Sequence, residues 1–362
     1  MNETPRNSSL NIMDDARGDG LKVWEELHGQ RPRASDWSSP LAERLETYED
    51  IIDSEVGDTS MVRARNIERE MGVRQIYLKF EGGNPTGTQK DRIAFSQAMD
   101  ALRRGFDTLT VATCGNYGAA TALAASLAGL RCLIHIPREY HSPRIREMEE
   151  LGAEIIRTPG DYETAVATSR ARAEAEALYD ANPGGDNTVI QLRAYGGIAY
   201  EIYDELRDAP FAVAAPVSNG TTLTGIYRGF LSLYRRGKTS RMPRIVAGSS
   251  FRKNPIVHAF RKSIPNCANL EPARIRETAV NEPLINWHAI DGNLALEAIR
   301  ATGGWAGDAS DRSMRTFSRL IREKEGLQVL PASTAGLIAL LEGHRKEPLP
   351  NDRYVVVLTG RR

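Results

Sequence analysis

The sequence predicts an α/β chain with two open, twisted parallel sheets, and three observations lead there. Short β-branched runs alternate with helical patterns of roughly ten to fifteen residues, the rhythm of βαβ units. A stretch rich in turn formers, Asn182-Pro-Gly-Gly-Asp-Asn187, interrupts that rhythm, and a second α/β series follows it. With 362 residues, 41% of them hydrophobic, the chain is long enough to build two cores.

The N-terminal residues 1–20 are polar and acidic with no apolar core, so they read as a disordered tail and not as a secretory signal. Residues 21–53 mix helix and loop, with Trp24 and Trp37 available to anchor them on a larger body. The turn Gly57-Asp-Thr-Ser-Met61 follows, and then a strand-like run, Gln75-Ile-Tyr-Leu-Lys-Phe80. Helix is expected over 93–104, strand over 108–112, helix over 119–130 and strand over 132–136. Then come helix 142–151, strand 154–157 and helix 162–180. After the break the pattern gives helix 198–207, strand 211–216, helix 222–236 and strand 244–247. A less regular stretch leads to helices 310–325 and 332–342 and a last strand over 354–358. Two α/β blocks leave a cleft between them, and ligands of open α/β sheets sit beyond the carboxyl ends of the strands.

The 47 basic and 47 acidic side chains balance, so no charge excess invites a nucleic acid. The longest apolar runs, such as 119–130, are too short and too rich in Ala, Gly and Ser to span a bilayer, so no membrane partner is expected. Cys114, Cys132 and Cys267 have no metal-ligand spacing and form no even disulfide set, which fits a reducing cytoplasm. The six histidines have no metal spacing either; His135 reads as a core residue, and no metal is expected. The acidic pair Glu149-Glu150 reads as a solvated helix face.

Chemistry concentrates in loops between a strand and a helix. In Glu81-Gly-Gly-Asn-Pro-Thr-Gly-Thr-Gln-Lys90-Asp-Arg92, three glycines permit tight backbone, Asn84-Pro85 forces a turn, and Thr86 or Thr88 can cap the helix that follows. Lys90 is thus delivered to the positive end of a helix, where an ammonium is less comfortable than a neutral amine. A neutral amine is what condensation with an aldehyde requires. Thr113-Cys-Gly-Asn-Tyr-Gly118 lies between a strand and an Ala-rich helix, so its amides form an anion site. There Cys114 reads as a small packed residue, since a thiolate nucleophile would need a base that the sequence does not identify. Ser218-Asn-Gly-Thr-Thr-Leu-Thr-Gly225 has the make-up of a phosphate cradle: Gly220 lets backbone approach an anion, while the amides and the Thr221 and Thr222 hydroxyls can donate.

These motifs carry a family resemblance over about 57–360. Asn84-Pro-Thr-Gly-x-x-Lys90-Asp-Arg92 resembles the cofactor-lysine signature of threonine synthases, within the tryptophan-synthase-β-like (fold type II) pyridoxal-phosphate enzymes. Gln89 stands where that family more often has an aromatic residue. The turn at 57–61 is similar to an early Gly-x-Thr-Pro-Leu, with Ser60 and Met61 substituted. The loop at 113–118 resembles Ser/Thr-Ser-Gly-Asn-x-Gly, with Cys114 for serine. The loop at 218–225 is nearer to the cofactor-phosphate loop of cysteine-synthase and tryptophan-synthase-β relatives than to the Asn-rich loop of threonine synthases. Val355-Val-Val-Leu-Thr-Gly360 resembles the family's closing strand, and Pro331-Ala-Ser-Thr-Ala-Gly336 a segment of the large domain to which no catalytic role falls.

The resemblance implies pyridoxal 5'-phosphate as cofactor, bound in the cleft between the two domains. Lys90 would form the internal Schiff base and then remove the substrate's α-proton. Asn116 would bond the phenolic oxygen, Ser218, Asn219, Gly220, Thr221 and Thr222 would hold the phosphate, and Thr359 would face the pyridine nitrogen. Thr113, Cys114, Gly115, Asn116 and Tyr117 would bind the substrate carboxylate. It also implies a large cofactor domain from 21–92 and 195–362, a small mobile domain from 93–194, and a cytoplasmic homodimer acting on a small amino acid. The implied activity is a lyase reaction on an amino acid with a β- or γ-leaving group, threonine-synthase-like: O-phosphohomoserine and water give threonine and phosphate. The alternative is β-replacement or elimination on phosphoserine, acetylserine or serine, cysteine- or cysteate-synthase-like, in specialised metabolism. A non-catalytic relative kept for binding would have no physical need for the lysine, Asn116 and the phosphate loop together.

Overall fold

The computed structural model describes residues 20–113, 115–140, 142 and 144–361. The expected tail lies outside them except for Gly20, and so does Cys114. In chain order the helices are α1 Gly20–Gln30, α2 Leu41–Glu55, α3 Arg65–Met71, α4 Lys90–Arg103, α5 Asn116–Ala128, α6 Arg144–Glu150 and α7 Tyr162–Glu176. They continue as α8 Thr188–Leu206, α9 Thr221–Arg235, α10 Pro255–Arg261, α11 Gly292–Ala301, α12 Asp311–Glu325 and α13 Ala335–Lys346. The strands are β1 Met61–Arg63, β2 Ile76–Phe80, β3 Thr108–Ala112, β4 Arg131–Pro137, β5 Glu154–Thr158, β6 Tyr179–Asp180, β7 Ala212–Pro216, β8 Arg244–Ser250, β9 Trp305–Ala309 and β10 Tyr354–Leu358. No helix among the described residues is long and apolar enough to cross a membrane.

The described residues form two compact units, one from residues 57–84 and 183–361 and one from 20–56 and 85–182. This division groups 21–56 with 85–182, whereas the resemblance groups 21–92 with the C-terminal part. One division between the units falls between Asn182 and Pro183, in the turn-rich stretch 182–187.

The first unit is built on a six-stranded sheet in the order β1-β2-β10-β7-β8-β9. Five strands are parallel, but β1 runs antiparallel to β2, pairing Met61 with Lys79, so the sheet is mixed where a wholly parallel one is expected. Both faces are covered, which is why β7 and β10 are continuous apolar runs buried at every position. Ile76, Leu78, Ala212, Ala214, Val246, Tyr354, Val356 and Leu358 pack with Leu337, Leu340 and Leu341 of α13 in one core.

The second unit carries a four-stranded sheet, β5-β4-β3-β6, parallel throughout. Its Ala-rich α5 is buried along nearly its whole length, because small side chains let neighbours approach from all sides. The N-terminal segment docks there as foreseen. Trp24 Nε1 donates to Ser126 Oγ at 2.8 Å, Trp37 Nε1 to Gly129 O at 2.6 Å, and Tyr48 OH to Ala124 O at 2.9 Å.

Several expected elements shift. The helix expected over 162–180 ends at Glu176 because Ala177 turns left-handed (φ 52°), and Tyr179–Asp180 then adds β6 to the sheet edge. The helix expected from 198 begins at Thr188. The less regular stretch holds α10, α11 and β9.

Candidate active site

In the first unit, β2, β10 and β7 are adjacent and parallel, with Leu358 level with Phe80 and Val356 level with Ala214. Their carboxyl ends therefore release 81–84, 359–361 and 217–220 along one edge of the sheet, where parallel sheets collect ligands. The first loop is tightly held. Glu81 is fully buried, and its carboxylate accepts from Thr59 Oγ1 at 2.7 Å and Asn84 Nδ2 at 3.1 Å. Asn84 Oδ1 in turn accepts from Gly57 N at 3.0 Å, which clasps the 57–60 turn to the Asn-Pro loop. Buried Lys79 pairs with Glu201 at 2.6 Å and also donates to Thr59 O.

Thr359 follows β10, and its hydroxyl lies 3.1 Å from Ser333 Oγ. Ser333 is fully buried and accepts from Gly360 N at 3.0 Å. The segment 331–336, given no role from the sequence, thus holds Thr359 in place. Arg361 reaches across from the same strand end to donate to Gly82 O at 2.9 Å.

The 218–222 loop leads from β7 into α9. Gly220 takes φ 97°, and a Cβ there would come within 2.8 Å of Asp291 O, so only glycine makes this turn. The loop is fixed from the 254–291 segment. Asn254 Nδ2 donates to Ser218 O at 2.9 Å, Asn286 Nδ2 to Asn219 Oδ1 at 2.7 Å, and Asp291 N to Asn219 O at 3.0 Å. Thr221 Oγ1 bonds Asp291 Oδ2 at 2.5 Å. Its hydroxyl is therefore taken up by Asp291, and the donors left to an anion include the first amides of α9, Asn219 Nδ2 and the Ser218 and Thr222 hydroxyls. Burial pushes the Asp291 carboxyl up, against the Thr221 bond and the charge of Arg228.

In the second unit, Lys90 opens α4, half-buried, with Nζ 5.5 Å from the centre of the Tyr117 ring. Tyr117 lies in the first turn of α5, so the starts of α4 and α5 meet there. The Tyr117 hydroxyl turns inward, where it receives Gln97 Nε2 at 2.5 Å and donates to Ala181 O at 2.7 Å. A ring face is thus what Tyr117 offers to the site. Asn116 is the first residue of α5, Gly115 its N-cap, and Thr113 closes the end of β3 with its N–H on His135 O at 3.1 Å. Beside Lys90, Asp91 is buried and caps the preceding loop, accepting from Thr86 N at 2.9 Å and from Thr86 Oγ1 at 2.8 Å. Burial pushes its carboxyl up to about 7, against those two bonds and the charge of Arg144. His135 is buried on β4 with Nδ1 3.3 Å from Thr158 Oγ1, as a core histidine should be.

The site residues that sequence reasoning missed, Asn254, Asn286, Asp291 and Ser333, lie far along the chain from the loops they brace. Only the Asn254-Pro255 pair carried a local signal: the Asn254 side chain caps α10 by accepting from Ile256 N and Val257 N, with proline at the first helical position. The donor set fits an aldehyde cofactor bearing a phosphate. Taken each by itself, the second unit offers a primary amine at a helix start, and the first a helix N-terminus with a side-chain amide and a hydroxyl at a strand end.

Comparison with known proteins agrees with that fit. The threonine synthase of Methanocaldococcus jannaschii is 28% identical over 305 residues, covering 84% of this chain and 74% of the relative. Among solved structures, maize serine racemase superposes with a TM-score of 0.73 at 18% identity, covering 88% of this chain and 92% of that one. A cysteine synthase from Entamoeba histolytica gives 0.66 at 18% identity, covering 86% and 87%. At such identities the structures establish the fold, an α/β fold shared by enzymes of different activity. Residues 52–360 match the family described as "Pyridoxal-phosphate dependent enzyme", and the chain belongs to that family of pyridoxal-phosphate enzymes.

Proposed function

We propose that the chain is a threonine-synthase-like lyase that converts O-phosphohomoserine and water into threonine and phosphate. The observation that carries the chemistry is Lys90 at the first position of α4, its amine over the Tyr117 ring. The choice of substrate is supported by relatives of the threonine synthase type that cover 84% of the chain. Bound pyridoxal phosphate supplies an electron sink for negative charge developed at the substrate's α-carbon. Lys90 would hold the cofactor through its amine and, once substrate displaces it, carry the α-proton as general base. The amides of Gly115 and Asn116 at the start of α5, with Thr113, would bind the substrate carboxylate, and Asn116 would also bond the cofactor's phenolic oxygen. Ser218, Asn219, Gly220, Thr221 and Thr222 would hold the phosphate through backbone amides and the Asn219 side chain. Thr359, braced by Ser333, would face the ring nitrogen; a hydroxyl there does not enforce ring protonation, which favours β- and γ-chemistry over simple α-proton exchange. We place the enzyme in the cytoplasm as a homodimer.

The make-up of 218–225 favours a second reading, β-replacement or elimination on phosphoserine or acetylserine. Phosphate release from O-phosphohomoserine and from phosphoserine separates the two. Release from the first alone supports the leading reading, release from the second alone supports the alternative, and release from neither sinks both phosphorylated substrates. Lys90→Ala should lose the cofactor's protein-bound absorbance and at least about 1000-fold in rate, since it removes both the covalent anchor and the base.

A further inference from the structure

The Asn219 side chain is a cofactor ligand only if its N–H2 group, and not its carbonyl, is turned outward. Three amides settle which way it points. Asn254 is the N-cap of α10, and its Oδ1 accepts from Ile256 N at 3.0 Å and Val257 N at 3.3 Å. Its Nδ2 lies 2.9 Å from Ser218 O, with Val217 O, Leu284 O and Asn286 Oδ1 at 3.3 to 3.4 Å. Backbone N–H groups can only donate and carbonyls can only accept, so the Asn254 amide has one possible orientation. Asn286 therefore presents Oδ1 to Asn254, and its Nδ2 donates to Asn219 Oδ1 at 2.7 Å. With its oxygen occupied, Asn219 has Nδ2 left over, and among the described residues nothing accepts from it. Asp291 N fixes the same residue's carbonyl at 3.0 Å, so backbone and side chain are both held.

We propose that Asn286 is a positioning residue: in a relay that starts at the α10 cap, it holds the Asn219 amide with N–H2 outward as a donor to the cofactor's phosphate. This rests on the reading of 218–222 as the phosphate loop. The arrangement costs the anion site nothing in charge and needs no reorganisation when phosphate arrives.

Asn286→Asp tests it at constant size. A carboxylate keeps the contact from Asn254 but can only accept from Asn219, so the Asn219 amide must reverse and offer its oxygen to the phosphate. Affinity for pyridoxal phosphate, followed by the absorbance of bound cofactor and by equilibrium dialysis, should fall about tenfold or more, the loss of one hydrogen bond to a charged group. Affinity for pyridoxal, which has no phosphate, should change less than about twofold. Asn286→Ala, which only frees the Asn219 amide, should fall between wild type and Asn286→Asp. The decisive step is the cycle with Asn219→Ala, in which Asn286→Asp should have little further effect because its target is gone. A tenfold loss that persists in the Asn219→Ala background means plain charge repulsion and overturns the relay. So does unchanged affinity in Asn286→Asp, or an equal loss for pyridoxal. Wild-type protein that takes up pyridoxal but gains nothing from the phosphate overturns the phosphate-loop reading itself, and the relay with it.

Discussion

Asp91, next to the proposed catalytic lysine, is buried with both oxygens spent on Thr86, and burial raises its carboxyl to about 7. A carboxyl whose folded value lies above its unfolded value near 4 holds its proton in the folded chain after the unfolded chain has lost it. Its contribution to stability is therefore full below about pH 4, falls as pH rises towards about 7, and is level above that, with a slope of at most about 1.4 kcal/mol per pH unit. Asn is isosteric and keeps the bond from Thr86 N, so Asp91→Asn should remove this slope. Urea unfolding at several pH values should show the stability difference between Asp91→Asn and wild type growing from pH 5 to 7 and flattening above 8. Parallel curves would show that Asp91 keeps an ordinary carboxyl.

Among the elements, α8 and α9 show what packing adds to a local signal. The helix expected from 198 leaves 188–197 unassigned, and Gly196-Gly197 and the β-branched start Thr188-Val189-Ile190 are poor helix formers, yet these residues form one continuous helix with 198–206. The glycine serves a close crossing. A Cβ on Gly229 would lie 2.5 Å from Gly196 O and 2.7 Å from Ala199 Cβ, and one on Gly225 would lie 2.5 Å from Tyr195 Cβ. The two helices thus approach backbone to backbone, and a helix-breaking residue becomes a packing residue. Gly229→Ala should destabilise the chain by about 1–3 kcal/mol by overpacking, even though alanine is the better helix former. A shift of the chemical unfolding midpoint measures it, and an unchanged or raised midpoint would deny the crossing. The other discrepancies have equally local causes. A two-residue strand such as β6 offers no period to read, and the antiparallel β1 owes its direction to the clasp of 57–60 on 81–84. The motif loops were legible because each couples turn formers to a capped helix within about ten residues. Their braces were not, because Asn286 and Ser333 meet those loops only through the folded sheet.

At the scale of the whole molecule, the two units differ in how far along the chain their strands find each other. The sheet of the second unit joins β3 to β6 from neighbouring stretches, and everything that unit needs has been made by Asn182. The first unit depends on β10, which sits inside its sheet between β2 and β7, so Tyr354 must pair with Ile76 and Ala212 before that core can close. Loop-closure entropy must be met before such distant contacts give anything back, and pairings of this kind form slowly. The tryptophans report on the units separately: Trp24 and Trp37 belong to the second unit, Trp287 and Trp305 to the first. After dilution from urea, a Trp287→Phe/Trp305→Phe chain should show the fast fluorescence phase, and a Trp24→Phe/Trp37→Phe chain a slower one. A chain ended after Asp352 lacks the strand between β2 and β7, so it should keep the fast phase and lose the slow one with the cooperative unfolding of Trp305. Equal rates for both pairs of tryptophans, or a wild-type transition in the shortened chain, would mean that β10 is not what closes the sheet.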